Sequence, residues 1–179
     1  MQSDSNLLKS SLIIDGQPNH LMNPTSLLTT RYSWEGDDIS NLPMRVGEIP
    51  QLYSPSPGFR RFIRGVHEPG YLSYGPYLTP DLGSLTGLYF FAFAENFTGN
   101  PNDPVAYFDL VNTANGSREE LANPLTLYVK DFPGIGKAFG VFLDNSIEVN
   151  NEMQIEARVR ALGGGNLSLF HMYWYINYL

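Results

Sequence analysis

The chain of 179 residues has no cysteine, only three histidines, and only 16% charged residues. The first absence excludes disulfides, thiolate catalysis and cysteine-ligated zinc. His20, His67 and His171 stand far apart and without H-x-x-x-H spacing, so each reads as structural rather than as a metal ligand. No G-x-S-x-G nucleophile elbow or P-loop occurs, and Gly163-Gly-Gly165 reads as a hairpin turn, not a phosphate cradle. No stretch approaches the roughly 20 apolar residues of a membrane span. The N-terminus also lacks a basic region followed by an apolar core and a small-residue cleavage site. The expectation is a protein that stays inside, leaves by another route, or is met without its leader.

Positive charge is scarce as well. Lys and Arg number 11 against 18 Asp and Glu, a net charge of −7. That balance argues against nucleic acid and against insertion into or binding to an anionic membrane, since both nucleic acid and anionic lipid select basic patches. Arg60, Arg61 and Arg64 form the one basic cluster, read as a solvated strand edge or as internal ion-pair partners. Paired carboxylates hydrolyse glycosides, and Glu95, Asp109 and Glu156 are candidates by type. Acidic residues on strands are commonplace, however, so no catalytic residue is assigned and the protein is not read as an enzyme.

What the chain does have is a two-part organisation. Residues 1–57 carry Pro18, Pro24, Pro43, Pro50, Pro55 and Pro57, which break any long element. Leu7 to Ile14 suits one short strand or helical turn. The apolar content of the region is too high for disorder, so it reads as an irregular arm packed on the domain or on a partner, with Tyr32 and Trp34 as anchors. Residues 58–179 alternate strand and turn. Strands are expected near Arg60–Val66, Tyr71–Leu78, Leu88–Asn96, Val105–Asn112, Leu125–Lys130, Phe139–Leu143, Glu152–Leu162 and Leu167–Tyr178. Turn chemistry separates them at Glu68-Pro-Gly70, Gly99-Asn-Pro-Asn-Asp-Pro104, Asn115-Gly116, Pro133-Gly-Ile-Gly136 and Gly163-Gly-Gly-Asn166. About eight strands so spaced predict an all-β, antiparallel two-sheet β-sandwich of jelly-roll type. One helical turn is expected at Ser117–Ala122, capped by Ser117. In Glu152–Ala161 the apolar Met153, Ile155, Ala157 and Val159 should point inward, leaving Glu156, Arg158 and Arg160 toward water or a partner. In the last strand, Phe170, Met172, Trp174 and Ile176 are expected on one side, and Leu169, His171, Tyr173 and Tyr175 on the other.

Aromatic residues are the richest signal, with 11 Tyr, 11 Phe and 2 Trp. A tyrosine presents a flat apolar ring and a hydroxyl that seeks a partner, which suits the C–H face and hydroxyl rim of a pyranose. His171, Tyr173 and Tyr175 are the preferred platform, with Tyr107 and Asp109, or Tyr128 and Lys130, expected to face them across a sheet. No cofactor is expected. A structural calcium ion is the one metal weighed, on the oxygen donors Asn100, Asn102 and Asp103 and on Asp144, Asn145, Asn150 and Asn151, with ordinary turn chemistry as the preferred reading. The sequons at Asn96, Asn115 and Asn166 carry meaning only in a eukaryotic secretory setting.

From about Gly70 to Leu179 the chain resembles the jelly-roll carbohydrate-binding modules and galactose-binding-like domains. The resemblance rests on Tyr71-Leu-Ser-Tyr-Gly-Pro-Tyr-Leu, on Gly87-Leu-Tyr-Phe-Phe-Ala-Phe, on Val105-Ala-Tyr-Phe-Asp-Leu-Val and on Leu169-Phe-His-Met-Tyr-Trp-Tyr-Ile-Asn177. It implies a non-catalytic carbohydrate-binding domain, and a ligand in end loops or on a concave sheet face. Trp174 lies in a strand and Trp34 in the arm, so no loop offers a tryptophan platform, and the sheet face is favoured. The partner expected is a neutral glycan, in an extracellular or surface-associated setting, with acidic polysaccharides disfavoured by the net charge. The competing expectation is a structural jelly-roll subunit of a capsid, fibre or surface layer, a homo-oligomer associating through its arm and aromatic face.

Overall fold

The computed structural model describes residues 8–12, 29–35, 42–50, 59–132, 134, 136–143 and 145–179. His20, Asp144, and Pro18, Pro24, Pro55 and Pro57 lie outside the described residues. The protein is an antiparallel β-sandwich. One sheet has seven strands: β1 (Leu8–Leu12), β10 (Gly136–Leu143), β6 (Gly83–Glu95), β13 (Asn166–Tyr178) and β2 (Thr29–Glu35) in that order, with β11 (Ile147–Val149) on β6 and β3 (Arg60–Phe62) on β13. The other has six: β4 (Gly70–Ser73), β12 (Ile155–Ala161), β7 (Pro104–Asn112) and β8 (Glu119–Glu120), with β5 (Pro76–Leu78) on β12 and β9 (Leu125–Tyr128) on β7. Among the described residues no helix is long and apolar enough to cross a membrane.

Alternation along the strands supplies the core. Leu88, Phe90, Ala92 and Ala94 of β6 point inward, as do Ala106, Phe108 and Leu110 of β7 and Ile155, Ala157, Val159 and Ala161 of β12. Phe90 and Phe108 meet across the sheets at 5.4 Å between ring centres. At about 25 cal/mol per Å² of apolar surface, this layer is the main source of stability.

The sandwich read from the turns is present, with thirteen strands among the described residues where about eight were expected. Two of the added strands, β1 and β2, come from the region read as an arm and form the two ends of the seven-stranded order. Trp34 packs edge-on against the buried Trp174 at 5.6 Å, and Tyr32 shares a 2.7 Å hydroxyl hydrogen bond with Tyr178. The helical turn expected at Ser117–Ala122 is absent. A 3₁₀ turn lies earlier, at Ala114–Gly116, because Asn115 and Gly116 adopt positive φ (58° and 71°) and reverse the chain tightly. The reversal sets Glu119 and Glu120 opposite Asn112 and Val111 as β8.

The phase of β13 also differs from the expectation. A bulge between Leu169 and His171 shifts the alternation, so that Leu167 and Leu169 point inward before it and Met172, Trp174 and Ile176 after it. Phe170, expected in the core, turns outward and packs on Phe59 at 5.0 Å and Phe91 at 5.5 Å.

Candidate functional site

A concavity lies on the outer face of the six-stranded sheet, and a broken strand builds it. A continuous strand over Tyr71–Leu78 would send Tyr71 and Tyr77 to one face and Tyr74 to the other. The strand is interrupted after Ser73. Gly75 takes φ 113° and its carbonyl accepts a 2.9 Å hydrogen bond from the Ala157 amide, after which Tyr77 sits at φ 62°. The interruption resets the phase and gathers all three rings. Tyr71 meets Tyr74 edge-on at 6.2 Å, and Tyr74 meets Tyr77 at 6.5 Å.

The residues before β3 add a cation. The Arg45 amide donates to the Tyr71 carbonyl (2.9 Å) and the Tyr74 amide to the Pro43 carbonyl (3.1 Å), so this segment runs beside β4. Arg60, buried completely, holds it there by donating from Nη1 to the carbonyls of Leu42 (2.7 Å) and Leu72 (3.2 Å). The Arg45 guanidinium consequently lies 5.4 Å from the Tyr74 ring centre and 6.0 Å from that of Tyr71. Arg158 and Arg160 of β12 approach the same Tyr71 ring at 5.6 and 5.8 Å. Arg45, Tyr71, Tyr74, Tyr77, Glu156 and Arg158 line a cleft of about 190 Å³.

The floor of this face is ionic. Asp109 is wholly buried, with Oδ1 accepting from Arg158 Nε at 2.7 Å and Oδ2 accepting from Arg158 Nη2 and, at 3.0 Å, from Arg118 Nη2. Burial alone would lower the Arg158 pKa, but the hydrogen bond and charge of Asp109 outweigh it and raise it. Glu156 is 6% exposed. Burial, reinforced by the charge of Asp109, raises its carboxyl above the ordinary value, against the opposing pull of Arg158, Tyr77 and Arg118. Burial, then the charge of Glu156, raises the Tyr77 hydroxyl in turn. Glu156 and Arg158 were expected to meet water or a partner. The partner is internal, the tyrosine layer laid over β12.

The structure divides the site residues expected from sequence between two opposite exteriors. Tyr107 and Asp109 of β7 lie beside the cleft, in register with Arg160 and Arg158. Burial and the charge of Asp109 raise the Tyr107 hydroxyl. Tyr128 of β9 pairs with Pro104 on the same sheet, with Lys130 Nζ 5.2 Å from its ring. His171, Tyr173 and Tyr175 belong to β13 of the other sheet and point away from the core. They cannot face Tyr107, Asp109 or Tyr128, because the apolar layer separates them. Around them runs a second aromatic row: His171 stacks on Phe91 (6.2 Å) and Tyr173 on Tyr89 (6.4 Å). Arg31 of β2 lies 4.8 Å from the Tyr173 ring centre. Burial, then the nearby Tyr173, pushes the Tyr89 hydroxyl up to about 12.

The remaining candidates serve turns and internal pairing. Asn100 Nδ2 donates to Asp103 Oδ1 (2.7 Å), and its Oδ1 accepts from the Asn102 amide. Asn150 Oδ1 accepts from the Glu152 amide. His67 Nδ1 accepts from the Ile63 amide. Arg61 pairs with Glu48 at 2.6 Å, and Arg64 Nε donates to the Asn96 carbonyl at 3.1 Å. Sequence reasoning missed the cleft itself. Its signal was the triple Tyr71, Tyr74 and Tyr77 around Gly75-Pro76, where a break changes which face each ring takes.

No family model and no curated protein matches the chain. Among solved structures it is similar to a family two carbohydrate esterase from Cellvibrio japonicus, with 12% identity and a TM-score of 0.29. That match covers 84% of this chain and 36% of the esterase, so the chain spans little more than a third of that protein's length.

Proposed function

We propose that this β-sandwich is a non-catalytic carbohydrate-binding domain that holds a glycan reversibly in the Tyr71–Tyr74–Tyr77 cleft. One observation carries the reading: three tyrosines converge with Arg45, Glu156 and Arg158 in one concavity of about 190 Å³. The rings supply apolar faces, and the guanidinium, carboxyl and phenol groups supply hydrogen-bond directors for sugar hydroxyls. The volume lies below the roughly 300–1,000 Å³ of drug-sized sites, which suits a single sugar unit. A binding role also fits Asp109, whose two oxygens are both engaged by arginines and therefore poorly disposed to act as a base. The net charge of −7 favours a glycan that is neutral or sparsely charged along its length.

Small sites of this kind bind in the micromolar-to-millimolar range, about −4 to −8 kcal/mol. A glycan array followed by NMR titration tests the proposal. Tyr74→Ala and Tyr77→Ala are expected to weaken binding without unfolding the protein, and Tyr175→Ala to leave it unchanged. The reverse pattern would move the site to the His171–Tyr173–Tyr175 face, and silence across the array would reject glycan binding. The row around Tyr173 also supports a second reading, self-association through that face. An oligomer that dissociates in Tyr173→Ala would favour it.

A further inference from the structure

The distribution of positive charge around the cleft goes further than the glycan reading on which it rests. The whole chain carries a net charge of −7. Yet Arg45, Arg118, Arg158 and Arg160 collect here, against Asp109 and Glu156 with Glu120 beyond Tyr107. Three of the four stand within 6.0 Å of the centre of one ring, Tyr71. Arg158 and Arg118 both pair with Asp109. Arg45 and Arg160, both exposed, have no carboxylate in salt-bridge reach among the described residues.

We propose that the cleft selects a sugar unit bearing a carboxylate, such as a uronic or sialic acid residue in an otherwise neutral glycan, with Arg45 as the specificity-determining residue. Arg45 rests on the Tyr71 and Tyr74 rings, the surfaces on which a sugar would stack. A cation–π contact at an exposed site is weaker than a bidentate guanidinium–carboxylate pair. An acidic sugar therefore draws Arg45 off the rings into a stronger contact and uncovers the stacking surface. A neutral sugar must displace the same guanidinium and offers it no comparable partner. Arg160, 5.8 Å from the centre of the Tyr71 ring, adds attraction for the same anion.

The experiment is NMR titration of the full chain with matched pairs of glycans, each neutral member compared with its counterpart carrying one uronic or sialic acid. Sodium acetate serves as a carboxylate without the sugar. The acidic member should bind about tenfold more tightly or better, with shifts at Tyr71, Tyr74 and Arg45, and added salt should reduce the difference. Arg45→Gln, an exposed change whose backbone hydrogen bond to Tyr71 persists, should remove most of that preference, weakening the acidic member far more than the neutral one. Equal or tighter binding of the neutral members overturns the acid preference and leaves the glycan reading standing. Acetate binding as tightly as the acidic glycans, with the same loss in Arg45→Gln, overturns recognition of a sugar. No binding by any member overturns both readings.

Discussion

Asp109 gives the sharpest stability test at the scale of single residues. Its carboxylate has no exposed surface and satisfies two arginines, so its removal leaves Arg158 charged and nearly buried without its hydrogen-bonded partner. Breaking a buried pair from one side costs about 3–5 kcal/mol. Asp109→Ala should lower unfolding free energy by about that much in urea titration. Arg118, half exposed on its side of the same carboxylate, should cost at most about 1 kcal/mol when replaced by Ala. Equal losses would show that the Arg118 contact, not the buried Arg158 pair, carries the stability of this cluster. Glu156 adds a pH dependence. Burial raises its carboxyl in the folded chain above the ordinary value it regains on unfolding. The folded state thus holds a proton that the unfolded state releases, across the window between those two pKa values. The favourable contribution is complete below the unfolded value and is lost as pH rises through the folded one. Above that window the wild type carries a buried charge that Glu156→Gln does not. Above that window the variant should therefore melt at a temperature at least as high as the wild type, and its advantage should vanish on acidification toward about pH 4. A gap that is constant with pH would mean Glu156 does not titrate differently on folding.

The strands show which features of the fold are legible in a single sequence and which are not. Ile155, Ala157, Val159 and Ala161 alternate without interruption, and the structure places all four in the core. The inward face of β12 could therefore be read directly. The last strand could not, because a bulge at Phe170 inserts one residue and exchanges the faces on either side. Nothing in Leu169-Phe-His-Met distinguishes a bulge from a regular strand. Tyr71–Leu78 failed in the same manner: Gly75-Pro76 was visible as punctuation, but not its effect of bringing Tyr74 to the side of Tyr71 and Tyr77. Other positions are decided by neighbours distant in sequence. At Gly140 of β10 an added Cβ would stand 2.5 Å from the Tyr89 ring of β6, so that glycine makes room for an aromatic about 50 residues away. Strand β2 escaped recognition because its partner, β13, begins more than 130 residues later. The candidate site was legible as residue chemistry, tyrosines with charged neighbours. Its location depended on phase and pairing that only the folded chain supplies.

At the scale of the whole molecule, the seven-stranded sheet depends on one strand. β13 lies between β6 and β2, pairs also with β3, and carries the buried Trp174, Met172 and Ile176. Without it β6 loses its longest pairing, and β2 and β3 lose the strand that attaches them to the sheet. Such distant pairings close large loops before they are rewarded, so the sandwich should assemble late and cooperatively. Three truncations separate the contributions. A chain ending before Asn166 should fail to fold, seen as loss of the near-ultraviolet circular dichroism of its aromatic residues. A chain beginning at Thr29 lacks β1, which pairs only with β10 at one end of the sheet, and should keep a cooperative unfolding transition. A chain beginning at Gly36 also loses the Trp34–Trp174 contact and the Tyr32–Tyr178 hydrogen bond, and should be about 2 kcal/mol less stable than the chain beginning at Thr29. If those two chains unfold at the same denaturant concentration, β2 rests on the sheet without stabilising it. A cooperative transition in the chain ending before Asn166 would show that the six-stranded sheet and its partner fold without the strand placed here at their centre.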